Sequence, residues 1–232
     1  MTVAKSKFFA ALLVVAALVV GASPVRAGDL VQPAEVAERM NARTADDFDV
    51  VINDVVLRTL SEKGSTYAGF VTKALERDGD LDEMVLRELD AAGMPPELAA
   101  IPLIETGYRN WGANGEAGGP APGLSGGGLW QFMPGTAKLY GLAITPTSDM
   151  RLDPVASTRA ALELLGDLRH RMGDWTLAIA AYNRGSGAVN KIIAAQGTRD
   201  PWELMRRGAL NDYAARVVVG ALVMEEPAVL AR

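Results

Sequence analysis

Glu105 is the residue whose position in this sequence best suits acid–base chemistry. It ends an apolar run and shares a helical face with Leu98 and Ile101 at i, i+3 and i+7 spacing. We therefore expect its carboxyl group at the buried side of a helix, where desolvation and the helix dipole both raise a pKa. A raised pKa keeps a proton available near neutral pH, as a general acid requires. The alternative is a structural rim Glu bonded to backbone or to Arg109.

Two other groups of polar residues stand where they can line a cleft with Glu105. Gln131 lies among large apolar residues that end with Met133, directly after a glycine-rich stretch. Tyr182 and Asn183 end a predicted helix beside two glycines, which let a ligand approach the backbone closely. The alternative for this pair is a buried Tyr with a satisfied hydroxyl and an Asn that caps the helix.

The stretch 112–128 carries eight glycines and two prolines in 17 residues. Its triple glycine suggests a phosphate cradle, but no strand precedes it and no Lys-Ser/Thr pair follows, which disfavours a nucleotide site. A loop over the cleft is the simpler interpretation.

His170 is the only histidine, and there is no cysteine, so we expect neither a metal nor another cofactor. We place His170 on the surface near a helix end.

Helical periodicity covers the chain from residue 30 onward, and no alternating strand of useful length is found. The pattern predicts a helix from Phe48 to a stop near Gly64, a second that begins at Ser65, and a third closed by Gly93. The helix with Glu105 begins after a Pro-Pro pair and ends at Gly107. Later helices are predicted from Asp153-Pro154 to Gly173, after Asp174, and from residue 211 to 223, with Tyr213 in its first turn.

The first 27 residues are typical of a secretory signal peptide. Lys5 and Lys7 form a basic head, the run 8–20 is apolar, and Val25 and Ala27 provide small residues for cleavage. This run is short for a membrane span, so a cleaved signal is favoured over an uncleaved anchor. Export without cysteine excludes lipidation and disulfides and fits a bacterial periplasm, where we expect the protein.

Charge excludes some partners of the chain that remains after cleavage. It keeps 20 of the 23 basic residues and all 28 acidic ones, a net charge of about −8. An acidic protein of this kind is a poor partner for nucleic acid or for an anionic membrane surface. A carbohydrate polymer is not excluded by charge. We expect a helical lead-in over 28–93 and a main domain over 94–225.

Four segments of the main domain, taken in order, resemble the lytic transglycosylase domain of the soluble-transglycosylase type. The resemblance covers about 94–224 and extends to the membrane-bound transglycosylase D group, although this sequence contains none of that group's LysM repeats. The segments are Pro-Pro-Glu-Leu-Ala (95–99), Ile-Glu-Thr-Gly-Tyr (104–108), Gly-Leu-Trp-Gln-Phe-Met-Pro-Gly-Thr-Ala (128–137) and Ala-Ala-Tyr-Asn-Arg-Gly-Ser-Gly (180–187).

The resemblance implies an all-α, goose-type lysozyme-like fold and a reaction on peptidoglycan. Glu105 matches the only catalytic carboxylate of the family. There, it protonates the glycosidic oxygen between N-acetylmuramic acid and N-acetylglucosamine and then takes the proton of the muramic C6 hydroxyl, which closes a 1,6-anhydro ring. Standard glycosidases use two carboxylates instead. The residues that would contact substrate are Thr106, Ser125, Gln131, Met133, Tyr182, Asn183 and Tyr213, with Tyr182 orienting the acid or the sugar.

Three differences from the family pattern affect the subsites. Thr106 replaces the usual Ser, the loop before Gly128 is longer and richer in glycine, and Ala209 stands where a Glu often precedes the late tyrosine. The expected partner is the glycan strand, bound by a monomer, and any cell-wall or secretion-machinery partner is unidentified. The alternatives are a lysozyme-type hydrolase on the same fold and a catalytically weak peptidoglycan-binding or secretion-apparatus component. The intact Glu105, Gln131 and Tyr182-Asn183 set disfavours the second.

Overall fold

The computed structural model describes residues 31–43, 48–76, 80–111 and 126–230, and helices are the main regular secondary structure in these ranges. The predicted signal peptide, 1–27, lies outside them. Ten α-helices, α1 to α10 in chain order, account for most of the described residues: Pro33–Asn41, Asp54–Leu75, Leu81–Ala92, Ala100–Thr106, Pro134–Leu139, Pro154–Met172, Trp175–Arg184, Ser186–Gln196, Pro201–Arg206 and Tyr213–Glu225. Three 3-10 turns, Pro96–Ala99, Met150–Leu152 and Pro227–Leu230, complete the architecture. The predicted all-α class is confirmed.

The predicted break at Gly64 is wrong, because α2 runs without interruption through this residue. Phe48 lies before the helix, which begins where the Asn53 side chain accepts hydrogen bonds from the backbone N–H groups of Val55 and Val56, both at 3.0 Å. Gly64 instead allows the side chain of Leu230 to pack closely against the helix backbone. A Cβ atom there would lie only 2.3 Å from Cδ2 of Leu230. The glycine is a packing residue and not a helix stop.

Capping residues end the later helices where the sequence predicted. Gly93 and Gly173 follow α3 and α6 with φ angles of 63° and 73°, in the left-handed region that glycine tolerates. At the opposite ends, Asp153 accepts from the N–H of Ala156, and Asp174 accepts from that of Leu177. Each cap satisfies a backbone donor that the first turn of a helix leaves free.

Helix α10 is the centre of the core. All its residues are buried except Arg216, and it packs against α2, α4 and α7. A helix that is apolar on every side must be surrounded by protein. Because α2 belongs to the predicted lead-in and α4 carries Glu105, α10 joins the lead-in and the main domain in one core.

A polar contact strengthens this arrangement at the far end of α10. Arg43, just after α1, forms an ion pair of 2.6 Å with Glu225, whose side chain is only 8% exposed.

Within the described ranges, no helix is long and apolar enough to cross a membrane.

The contact at Gly64 gives a stability prediction with a matched control in the same helix. Nothing lies within 4 Å of a Cβ atom added at Gly69. Gly69→Ala should therefore raise the free energy of unfolding by about 0.5–1 kcal/mol, the usual gain for alanine over glycine in a helix. Gly64→Ala should lower it, since Leu230 must leave its position. Urea unfolding measures both.

A double variant isolates the cause. In a Leu230→Ala background, Gly64→Ala should be less destabilising than in the unmodified chain, because the nearest clash is gone and only Cδ1 of Leu60, at 3.1 Å, still crowds the added Cβ atom. Equal stabilisation by the two glycine substitutions in the unmodified chain would contradict the close contact.

Candidate active site

Glu105 lies at the C-terminal end of α4, in a short helix that is otherwise almost wholly buried. Residues 100–104 are buried and Glu105 is partly buried, as its shared face with Leu98 and Ile101 predicted. Directly after it the backbone enters the left-handed region at Gly107 and Tyr108, with φ angles of 58° and 57°. The Tyr108 hydroxyl donates to the carbonyl of Ala99 at 2.7 Å and holds this turn against the helix start.

The hydroxyl group of Tyr213 donates a hydrogen bond to Oε1 of Glu105 at 2.5 Å. Tyr213 is the first residue of α10 and is 2% exposed, so the phenol is fixed by the core. The predicted place of Tyr213 in the first turn of the last helix is confirmed. The hydrogen bond to the acid comes from Tyr213, whereas Tyr182, which was expected to orient the acid or the sugar, donates to the Trp130 carbonyl.

Burial is the largest influence on the pKa of Glu105 and raises it. The hydrogen bond from Tyr213 and the positive charge of Arg216 act in the opposite direction, and the net shift is upward. The alternative partner, Arg109, lies instead over the ring of Trp111, 5.3 Å from its centroid. The carboxyl group thus holds its proton to higher pH than an ordinary Glu, as general-acid chemistry requires.

Thr106 connects the end of α4 to the segment that contains Gln131. Its hydroxyl oxygen lies 3.0 Å from the carbonyl of Pro102 and 3.3 Å from that of Leu129, and it accepts from the N–H of Arg109 at 3.2 Å. The hydroxyl proton is therefore shared with backbone carbonyls. The contact with Leu129 links the end of α4 to the next wall of the site.

That wall is a tight turn over 126–133. Gly127 and Phe132 exchange two backbone hydrogen bonds, of 3.1 and 3.0 Å. Within the turn, Gln131 has a φ of 52° and its side-chain amide donates to the Gly128 carbonyl at 2.8 Å. Met133 follows with its side chain 52% exposed. Ser125, the predicted cleft hydroxyl, lies outside the described residues.

A buried arginine that the sequence analysis missed supports the turn. Arg151 is 0% exposed, pairs with Asp149 at 2.7 Å and donates to the carbonyl of Phe132 at 2.9 Å. At Gly128, where φ is 76°, a Cβ atom would lie 1.8 Å from the carbonyl oxygen of Arg151. Gly128 is therefore needed for close packing against the backbone of Arg151. This packing accounts for the last glycine of the triple without a phosphate-binding role.

Tyr182 and Asn183 connect the end of α7 to the rest of the site. The Tyr182 hydroxyl donates to the carbonyl of Trp130 at 2.7 Å, which is the satisfied hydroxyl of the alternative interpretation. Burial first, and then the charge of Glu105, raises the pKa of Tyr182, so its phenol lies within the electrostatic reach of the acid. Asn183 is exposed and accepts from the side chain of Asn211 at 2.9 Å.

The structure therefore brings Glu105 together with Tyr213, Tyr182 and the Gln131 turn, whereas Met133 and Asn183 are open to solvent. Arg216 is a further member that the sequence analysis missed, although it is the only charged residue between Asp212 and Glu225. That isolated charge in an apolar helix was a usable signal. Among the described residues, no group of three His, Asp or Glu side chains is placed to hold a metal ion.

The raised pKa of Glu105 gives a prediction for stability. Relative to the unfolded chain, the folded protein gains stability from this carboxyl group at low pH and loses it as pH rises above 4.5 through the folded-state pKa. Gln cannot ionise, so Glu105→Gln should become more stable relative to the unmodified protein as pH rises. Urea unfolding at a series of pH values measures the difference.

Glu88→Gln is the control with the opposite sign. The hydrogen bond from Arg159 lowers the pKa of Glu88, so its contribution is present above pH 4.5 and is lost as pH falls. Glu88→Gln should therefore not gain relative stability at high pH. A difference between Glu105→Gln and the unmodified protein that stays constant from about pH 4 to 8 would contradict a buried acid.

Comparison with known proteins connects this geometry to one family. The family described as "Transglycosylase SLT domain" matches residues 87–205. The chain is 38% identical over 130 residues to membrane-bound lytic murein transglycosylase D of Escherichia coli strain K12, an alignment that spans 54% of this chain and 27% of that protein. It is 39% identical over 111 residues to a putative tributyltin chloride resistance protein of Alteromonas sp. strain M-1, spanning 47% of this chain and 50% of that protein.

The chain thus spans about a quarter of the length of the transglycosylase D protein that it matches. The matched family segment includes Glu105, the Gln131 turn and the Tyr182-Asn183 pair, and it covers just over half of the sequence. The all-α fold and the order of these segments agree with that match. The chain belongs to the transglycosylase SLT domain family, with its lysozyme-like all-α fold.

Proposed function

We propose that this protein is a lytic transglycosylase that cleaves the glycan strands of peptidoglycan, with Glu105 as its acid and base. The observation that carries the proposal is the setting of Glu105. The groups that shift its pKa among the described residues are the Tyr213 hydroxyl and the Arg216 guanidinium, and no carboxylate is among them. A partly buried carboxyl group with a raised pKa and a hydrogen-bond donor beside it suits a reaction that needs one proton donor and no second carboxylate.

In the first step, Glu105 donates its proton to the oxygen that joins C1 of N-acetylmuramic acid to C4 of N-acetylglucosamine. The C1–O bond breaks, and the oxygen leaves as the C4 hydroxyl of N-acetylglucosamine. Positive charge develops at C1, and Glu105 is now a carboxylate. The Tyr213 hydroxyl, which donates to Oε1, stabilises that negative charge.

In the second step, the C6 hydroxyl of the same muramic residue attacks C1. Its proton passes to the Glu105 carboxylate, and the new C1–O6 bond closes the 1,6-anhydro ring. The acid is restored, and no water is consumed. These two steps require that Glu105 be stable both as an acid and as a carboxylate. Burial favours the protonated form, whereas Tyr213 and Arg216 favour the carboxylate.

The other predicted residues would bind and orient the sugars. Gln131 and Tyr182 use part of their hydrogen-bonding capacity on backbone carbonyls of the same turn, so we assign them to the shape of the subsite. Met133 and Asn183 are exposed, so a substrate can reach both side chains. Thr106 acts through the backbone that it holds, and the role of Ser125 stays a prediction.

We further propose that residues 1–27 are a cleaved signal peptide and that the protein works in the periplasm, where peptidoglycan lies. In this scheme 28–93 is a helical lead-in and 94–225 is the catalytic domain, active as a monomer. The packing of α2 against α10 supports a lead-in that belongs to the same folded body.

Digestion of purified sacculi tests the reaction and the residue together. The mature chain should release muropeptides with anhydro ends, each one water lighter than a hydrolytic product, as mass spectrometry will detect. Glu105→Gln should reduce release by about 10²–10⁴-fold, the range that a general acid contributes. Glu105→Gln keeps the side-chain size, so binding to sacculi should persist.

Glu116→Gln is the control for the single-carboxylate scheme, since Glu116 is close in sequence to the site and lies outside the described residues. This variant should retain activity, and a loss equal to that of Glu105→Gln would contradict the scheme. Reducing-end products would assign the protein as a lysozyme-type hydrolase. Binding without release by the unmodified protein would assign it as a peptidoglycan-binding component.

A further inference from the structure

Arg216 occupies a singular place in the core helix α10. It is the one residue of that helix that is not buried, and it stands one turn after Tyr213. Its guanidinium carbon lies 5.8 Å from the centroid of the Tyr213 ring. Because the positive charge faces the phenol that contacts Glu105, Arg216 can act on the acid through Tyr213 as well as through its own field.

A residue from α2 fixes the guanidinium group. Nε of Arg216 donates to the hydroxyl oxygen of Tyr67 at 2.8 Å, across 149 residues of sequence. Tyr67 is 2% exposed, so packing in the core fixes the position of its hydroxyl group. A planar guanidinium held by a buried acceptor has a fixed direction, which a free surface arginine lacks.

Helix α2 also contacts the backbone turn that follows Glu105. Phe70 lies one turn after Tyr67, with the two rings 6.2 Å apart. A Cβ atom at Gly107 would lie 3.4 Å from Cγ of Phe70, so this ring closes one side of the turn. Helix α2 thus contacts both the turn beside the acid and the cation near it.

We propose that Arg216, oriented by Tyr67, is a positioning residue for the Glu105–Tyr213 pair, and that α2 therefore forms part of the active site. Tyr67, Tyr213 and Arg216 all lie outside the family-matched segment 87–205. This inference rests on the proposed function for its effect on turnover. Its effect on the titration of Glu105 is independent of any reaction.

The chemical reason is the change of charge during the two steps. Glu105 becomes a carboxylate after it donates its proton, and a nearby fixed cation stabilises that state. The titratable groups around the pair are Tyr213 on α10, Asp212 directly before that helix, Tyr182 on α7 and Tyr67 on α2. Of these groups and Arg216, only the arginine brings a positive charge toward the carboxylate.

The direct test is the titration of Glu105 in the full chain by NMR of ¹³C-labelled glutamate carboxyl groups. The Glu105 resonance is identified by its loss in Glu105→Gln. Arg216→Met removes the charge and keeps the stem, so the pKa of Glu105 should rise. Tyr67→Phe removes one hydroxyl group and should raise it in the same direction but by less, because the charge remains.

Activity on sacculi provides a second measurement. The alkaline limb of the pH–rate profile, where the acid loses its proton, should move to higher pH in both variants. Turnover at the optimum should fall by about tenfold in Arg216→Met, within the loss of up to about a hundredfold that small misplacements cause. Arg216→Lys should recover most of the pKa effect but less of the turnover, since lysine cannot reproduce the fixed fork.

Matched controls separate this effect from general damage. Arg159→Met removes an arginine that pairs with Glu88, and Tyr140→Phe removes a phenol that donates to Asp167. Neither should move the titration of Glu105, and circular dichroism will verify that each variant is folded. An unchanged Glu105 titration in both folded Arg216→Met and folded Tyr67→Phe would overturn the proposal. Shifted titration with hydrolytic or no products would instead overturn the proposed function alone.

Discussion

The partial burial of the Glu105 carboxyl group is the condition on which the rest of the site depends. An acid with a raised pKa is costly as a carboxylate, so its surroundings must relieve that charge without exposing it to water. The core helix α10 meets this need at its first turn, where the buried Tyr213 donates directly to the carboxylate. The same helix is enclosed by protein along its length, which fixes the phenol through packing and not through flexible surface contacts.

The second wall, the turn over 126–133, is fixed by contacts that do not involve the acid itself. Arg151 is fully buried and binds both Asp149 and the Phe132 carbonyl, while the Tyr182 hydroxyl binds the Trp130 carbonyl. These contacts keep Gln131 in a left-handed conformation that a free chain would rarely adopt. Under the proposed function, a turn held in this way would meet the sugar already preorganised, as electrostatic catalysis requires.

Local signals in the sequence predicted the fold class, the capping residues and the position of Glu105, because these depend on periodicity and on neighbours a few residues away. Gly64 was predicted as a stop, since its partner Leu230 is 166 positions distant and no local pattern reveals that contact. For the same reason the sequence analysis expected both Tyr182 and Tyr213 in the cleft, with Tyr182 orienting the acid or the sugar, but did not predict that Tyr213 donates to the acid. Arg151 and the Tyr67–Arg216 pair also depend on tertiary contacts alone, although the isolated charge of Arg216 marked it in the sequence.

The central claim is that one carboxyl group both donates and recovers the proton while water is excluded. Digestion of sacculi in H₂¹⁸O, followed by mass spectrometry of the released ends, tests it most directly. The account predicts anhydro ends that carry no ¹⁸O, because the oxygen that closes the ring comes from the sugar itself. Incorporation of one ¹⁸O atom at each new reducing end would contradict it, since water would then be the nucleophile.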